Sequence, residues 1–223
     1  MIPLLPTSKT QFSVEILISL ISNDIVTDIF GNSFFCTGVE KFSQRSILCQ
    51  TNEDVRLINE RVLINLKNVQ QMSFYAIVSV KIDDGVADHD LQVNISVEFL
   101  YTLNPSGLLP YKLNLKIVCR VMRLRNLSVN KGLCNETRMI VRVFRQNVLQ
   151  LETITDAFPG TVHFNPRISL NTSNVPALPF NFVRHQFPVR LAYAMTINKS
   201  QGQTFDKVGL YTEKKNGTIP NQK

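Results

Sequence analysis

Along residues 12–30, FSVEILISLISNDIVTDIF, apolar side chains recur at Phe12, Ile16, Leu17, Leu20, Ile21 and Ile25. The spacing is close to a helical period and predicts an amphipathic helix, or a helix pair broken at Ser22–Asn23. A short apolar run, Ile47 to Cys49, then leads into Thr51, with Asp54 three residues on and a stripe of Val55, Ile58, Val62 and Leu63 behind it. That order predicts strand, capped turn and helix. FYAIVSVKI can form a strand, DDGVADHD is a polar, acidic solvent loop, and Asn104-Pro105-Ser106-Gly107 has the chemistry of a turn.

Beyond the turn the period drops to two. Leu113, Leu115, Ile117, Cys119 and Val121 alternate with Asn114, Lys116, Val118 and Arg120, and RMIVRVF alternates again with Met139, Val141 and Val143 on one side. Strands with basic residues on an open face are expected, a small basic β-unit. Short strands in TVHF and RISL and a Pro-punctuated connector, NVPALPFNF, follow. In FPVRLAYAMTINKSQGQTFDKVGLYT, Pro188 suits a first helical position, Leu191, Ala194, Met195 and Asn198 share a helical face, and Gly202 lies just past the end. KVGLY closes the pattern as a buried strand.

With 223 residues, 44% of them hydrophobic, the chain can bury a substantial core. No window approaches the ~18 uninterrupted apolar residues of a membrane span, and the first residues lack the pattern of a secretory leader, so an intracellular protein with no membrane partner is expected. Cys36, Cys49, Cys119 and Cys134 form no C-x-x-C pair and the three histidines are scattered, which argues against a zinc cluster and for reduced thiols. Between Lys112 and Arg145 nine basic residues face one acid, so this segment carries +8 of a net +7 and the remainder sums to −1. Charge concentrated in this way is the footprint of a polyanion binder, or else a solvated basic face.

The run Lys199-Ser200-Gln201-Gly202-Gln203-Thr204 has two readings on its residues alone. It can be a helix C-cap with Gly202 left-handed, or a turn whose N–H groups, lysine and hydroxyls contact a phosphate.

FPVRLAYAMTINKSQGQTFDKVGLY closely resembles motif V of the PIF (petite integration frequency) family of ATP-dependent DNA helicases, also carried by Helitron-type transposons. SILCQTNEDVRLINERVL resembles the strand, turn and helix that open the family's second motor domain. VEFLYTLNPSGLLPYKLNLK with VMRLRNLSVNKGLCNETRMIV resembles its small inserted β-barrel. The resemblance runs from about Arg45 to Tyr211, in the family's order.

It implies an α/β fold: a partial RecA-like parallel sheet with helices, interrupted by a small inserted β-barrel. Residues 1–97 would begin the second RecA-like domain, 98–145 would form the barrel, and 146–223 would complete the domain with motif V and a tail unlike the family's. It further implies a motor that hydrolyses ATP with Mg²⁺ while stepping 5′ to 3′ on single-stranded DNA. Lys199, Ser200, Gln201, Gly202, Gln203 and Thr204 would couple nucleotide to DNA, with Arg190 as a brace. Thr51 and Asn52, and from the barrel Lys112, Lys116, Arg125 and Lys131, would contact DNA. A nuclear or mitochondrial location follows from the same resemblance.

The chain also departs from the family. It has no G-x-x-x-x-G-K-[ST] phosphate loop, no assignable metal-binding carboxylates and no arginine motif after GLY. ATP hydrolysis by this chain alone is therefore not expected, nor tight ATP or Mg²⁺ binding, and the missing first RecA-like domain becomes a partner. In the barrel, Val118, Cys119 and Arg120 stand where the family has Gly-x-Pro, Arg123 where it has an apolar residue, and Glu136 where it has glycine. Arg123 would put a charge where an apolar neighbour packs, unless it snorkels outward. A different class of function, a non-catalytic single-stranded nucleic-acid-binding module, fits the same basic segment, and so does an isolated half whose exposed apolar face drives aggregation.

Overall fold

The computed structural model describes residues 15–17, 24–31, 42, 44–81, 96–103, 109–125, 137–154, 159–171, 181–201 and 203–212. In chain order the elements are β1 (Glu15–Leu17), α1 (Ile25–Phe30), β2 (Arg45–Cys49), α2 (Asn52–Asn65), β3 (Gln71–Tyr75), β4 (Ile77–Lys81), α3 (Val97–Thr102) and β5 (Lys112–Lys116). They continue with β6 (Arg120–Arg123), β7 (Arg138–Phe144), β8 (Val148–Thr153), β9 (Val162–Pro166), β10 (Ile168–Asn171), β11 (Asn181–Gln186), β12 (Val189–Leu191), β13 (Ala194–Thr196), a 3-10 turn (Ile197–Ser200) and β14 (Lys207–Tyr211).

A parallel sheet in the order β1-β14-β2-β13 forms one layer. Alternation along its strands divides the core. Ile47 and Ala194 join the residues of α1 and α2 on one face, while Met195 and Val208 pack with Phe205, Met122 and Leu48 on the other. Helix α1 comes so near β14 that a Cβ built on Gly209 would lie 2.7 Å from Ile29 Cγ1, so the close approach requires glycine there. Helix α2 starts as its sequence predicts, with Thr51 accepting a hydrogen bond from Asp54 N at 3.1 Å.

The remaining sheets are antiparallel: β12-β6-β7-β8-β9, β10-β11-β4 and the pair β3-β5. The fold is thus mixed α/β, with more antiparallel than parallel pairing. The five-stranded sheet continues past residue 145 through β8 and β9. It curls strongly, since Arg123 on β6 reaches the Asn165 side chain on β9 across two intervening strands. Those strands would be about 14 Å apart in a flat sheet. Yet β9 and β12 remain unpaired edges among the described residues, so the expected barrel is not closed.

Two predicted helices are corrected. Glu15–Leu17 is a strand paired in parallel with Lys207–Gly209, and among the described residues of that segment Ile25–Phe30 is helical. Residues 188–198 form β12 and β13, joined through Ala192 and Tyr193 and followed by the 3-10 turn. This apolar run crosses from the five-stranded sheet to the parallel one and is largely buried, and such a run carries no period that separates strand from helix. FYAIVSVKI splits into β3 and β4 at Ala76, whose N–H donates to Tyr111 O at 2.8 Å. DDGVADHD and Asn104–Gly107 lie outside the described residues.

The resemblance places a glycine at position 118, and the backbone there takes a conformation that favours glycine. Val118 sits at φ +61° in the turn from β5 to β6, held by its N–H donating to Val141 O at 2.8 Å. For an L-residue the left-handed region costs roughly 1–2 kcal/mol, and a β-branched side chain does worse. Glycine would relieve this and lose about 0.5–1 kcal/mol to chain entropy. Val118→Gly is therefore expected to raise stability by about 1 kcal/mol, read as a higher urea midpoint. A lower midpoint would refute the strain.

Candidate nucleic-acid interface

Strands β2 and β13 run parallel with Thr196 opposite Cys49. Gln50, Thr51 and Asn52 therefore leave the sheet at the same carboxyl edge as the 3-10 turn Ile197–Ser200. In open α/β sheets this edge is where ligands bind. Within it Thr51 is committed to the fold: its hydroxyl accepts from Asp54 N and donates to Asp54 Oδ2 at 2.7 Å. Glu53 and Asp54 occupy the first turn of α2, and the Glu53 carboxyl is held below its usual range by its hydrogen bond from Arg56. These carboxylates oppose an anion at the helix N-terminus, whereas the Asn52 side chain is exposed.

The polar run after β13 serves two places. Ser200 Oγ donates to Ile197 O at 2.7 Å, and Gln203 donates to Ser200 O through its backbone at 3.1 Å and to Lys199 O through Nε2 at 3.1 Å. Gln203 Oε1 is buried without a hydrogen-bond partner. The chain then returns across the sheet. Arg138 donates to Thr204 O at 3.0 Å and stacks 4.6 Å from the Phe205 ring centre, and Asp206 N donates to Gln44 O at 2.8 Å where β14 begins. Lys199, Ser200 and Gln201 thus share the carboxyl edge with Thr51 and Asn52, while Thr204 lies on the return path beside Arg138. Gly202 lies outside the described residues.

Asn59 positions this segment, and the sequence reading missed it. Its Oδ1 accepts from Tyr193 N at 2.8 Å and Ala194 N at 3.0 Å, and its Nδ2 donates to Ala194 O at 3.0 Å. The signal was a polar residue set inside the apolar stripe of α2. Arg190, on β12, points Nη2 at Met122 Sδ, 3.6 Å away, and so lies against the packing beneath Met195 and Phe205.

Among the described residues, part of the expected open basic face is interior. Lys116 is 8% exposed, and its ammonium donates to Leu66 O at 2.6 Å and Ile64 O at 3.3 Å, capping the C-terminal carbonyls of α2. Burial lowers its pKa. Lys116 is therefore corrected from a DNA contact to a helix cap. Arg120, Arg123 and Arg138 are buried as well, because β6 and the start of β7 are covered on both faces, one by the curl of their own sheet and the other by the parallel sheet. Arg123 does not snorkel: it is 0% exposed, with Nε and Nη1 unpartnered, and burial lowers its pKa. Lys112 and Arg125 are exposed, and Lys131 lies outside the described residues. Cys49 and Cys119 are buried free thiols whose pKa burial pushes up to about 12, which makes both inert.

Among the described residues no three His, Cys, Asp or Glu side chains come together as a metal site, and no helix is long and apolar enough to cross a membrane. The family profile "DNA helicase Pif1, 2B domain" matches residues 98–144. The ATP-dependent DNA helicase PIF1 of Homo sapiens is 30% identical over 163 residues, which is 72% of this chain and 22% of that protein; the Danio rerio protein of the same name is 30% identical over 161 residues with the same coverage. The chain thus spans about a fifth of the length of the curated relatives it matches. A Pif1 structure described as showing the basis for DNA unwinding at forked dsDNA by two coordinating Pif1 helicases has a TM-score of 0.53 at 26% identity, covering 75% of this chain and 33% of that one. Pif1 helicase from Candida albicans has the same fold, with a TM-score of 0.52 at 21% identity and coverage of 75% and 39%. By its ordered motifs, its profile match and its fold, the chain belongs to the Pif1 helicase family, whose C-terminal part it resembles.

Proposed function

We propose that this chain is the second-motor portion of an ATP-dependent helicase that moves 5′ to 3′ on single-stranded DNA, and that alone it grips nucleic acid without hydrolysing ATP. The observation that carries this is the shared carboxyl edge, where Asn52 and the Lys199–Gln201 turn leave neighbouring parallel strands. The parallel layer of β1, β2, β13 and β14 would be the RecA-like core of a domain drawn from residues 1–97 and 146–223, and residues 98–145 would begin the inserted barrel. Lys199, Ser200, Gln201, Gly202, Gln203 and Thr204 would link nucleotide state to DNA grip, the return path through Thr204 and Arg138 carrying movement into the antiparallel sheet.

The residues present do not fit a nucleotide–metal site, since the sequence contains no G-x-x-x-x-G-K-[ST] loop. ATP and Mg²⁺ would be held by a first RecA-like domain supplied by another segment or protein. DNA repair, recombination, telomere maintenance or Helitron transposition, in nucleus or mitochondrion, are the settings this reading allows. The exposed Lys112 beside Tyr75 favours a second reading, a non-catalytic single-strand binder.

The purified chain is expected to show no DNA-stimulated ATP turnover, and a rate of even ~1 s⁻¹ would overturn the assignment of ATP to another domain. Its affinity for a labelled oligonucleotide is expected to fall with salt, the log–log slope being about −0.7 per phosphate neutralised. Reversing charge at Lys112 and Arg125 should weaken binding more than reversal at Lys214 and Lys215. Absent or salt-insensitive binding would remove both readings.

A further inference from the structure

On the surface formed by β3, β5 and α3, away from the carboxyl edge, three tyrosines meet. Tyr101 and Tyr111 stack face to face with ring centres 3.9 Å apart and planes 10° from parallel, and Tyr75 leans on Tyr111 at 5.8 Å. Tyr75 is 51% exposed, and the Lys112 ammonium lies 5.7 Å from its ring centre. Among the described residues Lys112 has no ion-pair partner. The backbone beneath is fixed: Tyr111 O accepts from Ala76 N at 2.8 Å and Gln186 Nε2 at 3.2 Å, and Tyr75 O accepts from Arg167 Nη1 at 2.8 Å.

A solvated aromatic ring on a rigid backbone, with a cation at its rim, offers a nucleobase a stacking face and its phosphate a charge. An acidic partner would need only the lysine, and an apolar partner would gain nothing from it. We propose that Tyr75, supported by Tyr111 and Tyr101 and flanked by Lys112, is a base-stacking station for single-stranded nucleic acid, distinct from the carboxyl edge. The station rests on the nucleic-acid-binding reading above. It adds a second hold on the strand outside the nucleotide-coupling turn, and the strand's bases face the tyrosines while its phosphates face Lys112.

The test compares oligo(dT), oligo(U) and an abasic oligomer with the same number of phosphates, all labelled, by fluorescence anisotropy on the full chain. Tyr75→Ala is expected to weaken oligo(dT) binding about tenfold while leaving the abasic oligomer unchanged. An equal loss with oligo(U) supports a station blind to the sugar, and a loss with oligo(dT) only supports one for DNA. Tyr75→Phe keeps the ring and should restore binding. Lys112→Gln should weaken all three oligomers alike and flatten the salt slope by about 0.7. If Tyr75→Ala leaves oligo(dT) binding unaltered, or lowers the abasic oligomer equally, the station is refuted while nucleic-acid binding stands. If the unaltered chain binds no oligomer, the broader reading falls with it. Occupation of the tyrosines by a proline-rich peptide without oligomer binding would also overturn the proposal.

Discussion

Arg120→Ala is expected to destabilise the chain by about 4 kcal/mol, enough to leave it largely unfolded if its total stability is near the low end of the usual ~5–15 kcal/mol. The guanidinium joins three parts of the molecule. From β6 it donates to Phe42 O and Arg45 O, both at 2.9 Å, in the lead-in to β2, and it lies between the Phe30 ring of α1 and the Tyr193 ring before β13, at 4.9 and 4.8 Å. Burial lowers its pKa from the ordinary guanidinium value to about 9. It is therefore still charged at neutral pH, and carbonyls and ring faces offset part of its desolvation. Alanine would open a cavity and leave two part-buried carbonyls without their donor.

Arg120→Lys separates charge from shape. A lysine keeps the cation but cannot stack flat between two rings or serve two carbonyls with a fixed fork, so it should recover only part of the loss. Urea unfolding followed by far-UV circular dichroism measures both variants. Wild-type midpoints for Arg120→Ala would remove the guanidinium from the account of how the two sheets are joined.

Arg120 also explains what the sequence could and could not convey. The capped start of α2 was legible because its signal is local: a hydroxyl, a carboxylate three residues on and a helical stripe. The alternation of β5, β6 and β7 was legible for the same reason. Which face of β6 meets water was not, because it depends on the parallel sheet, whose strand β13 comes from more than sixty residues away in sequence. Period two therefore identified the strands while misplacing Lys116, Arg120 and Arg138 on an open face. The segment 188–198 failed similarly: Leu191, Ala194, Met195 and Asn198 do fall at helical spacing, but burial along most of the run removes the polar face that makes such spacing informative.

The candidate site was legible through ordered motifs more than through any residue's chemistry. The strands flanking the carboxyl edge come from opposite ends of the chain, Arg45–Cys49 and Ala194–Thr196, and no local pattern says they are neighbours. The charge count pointed to a polyanion surface for a partly wrong reason. Four of its nine basic residues are interior, and what remains exposed at Lys112 gains interest from Tyr75, a residue that charge alone does not single out.

Arg123 makes the converse prediction, a gain in stability by removing a charge. It stands on β6 where the resemblance expects an apolar residue, is fully buried, and donates to Asn165 Oδ1 on β9, with Nε and Nη1 unpartnered. Arg123→Leu alone removes the buried charge but leaves the Asn165 amide oxygen, itself fully buried, without its donor, at a cost of about 1–3 kcal/mol. Arg123→Leu with Asn165→Val removes both polar groups, and the β-branched residue suits strand β9. The double variant is expected to be about 2 kcal/mol more stable than the natural chain, and the single variant intermediate, by urea unfolding. If the double variant is instead less stable, the Arg123–Asn165 contact closes the curl of the sheet and contributes more than its desolvation costs, and the sheet's curvature then depends on a polar tie between β6 and β9.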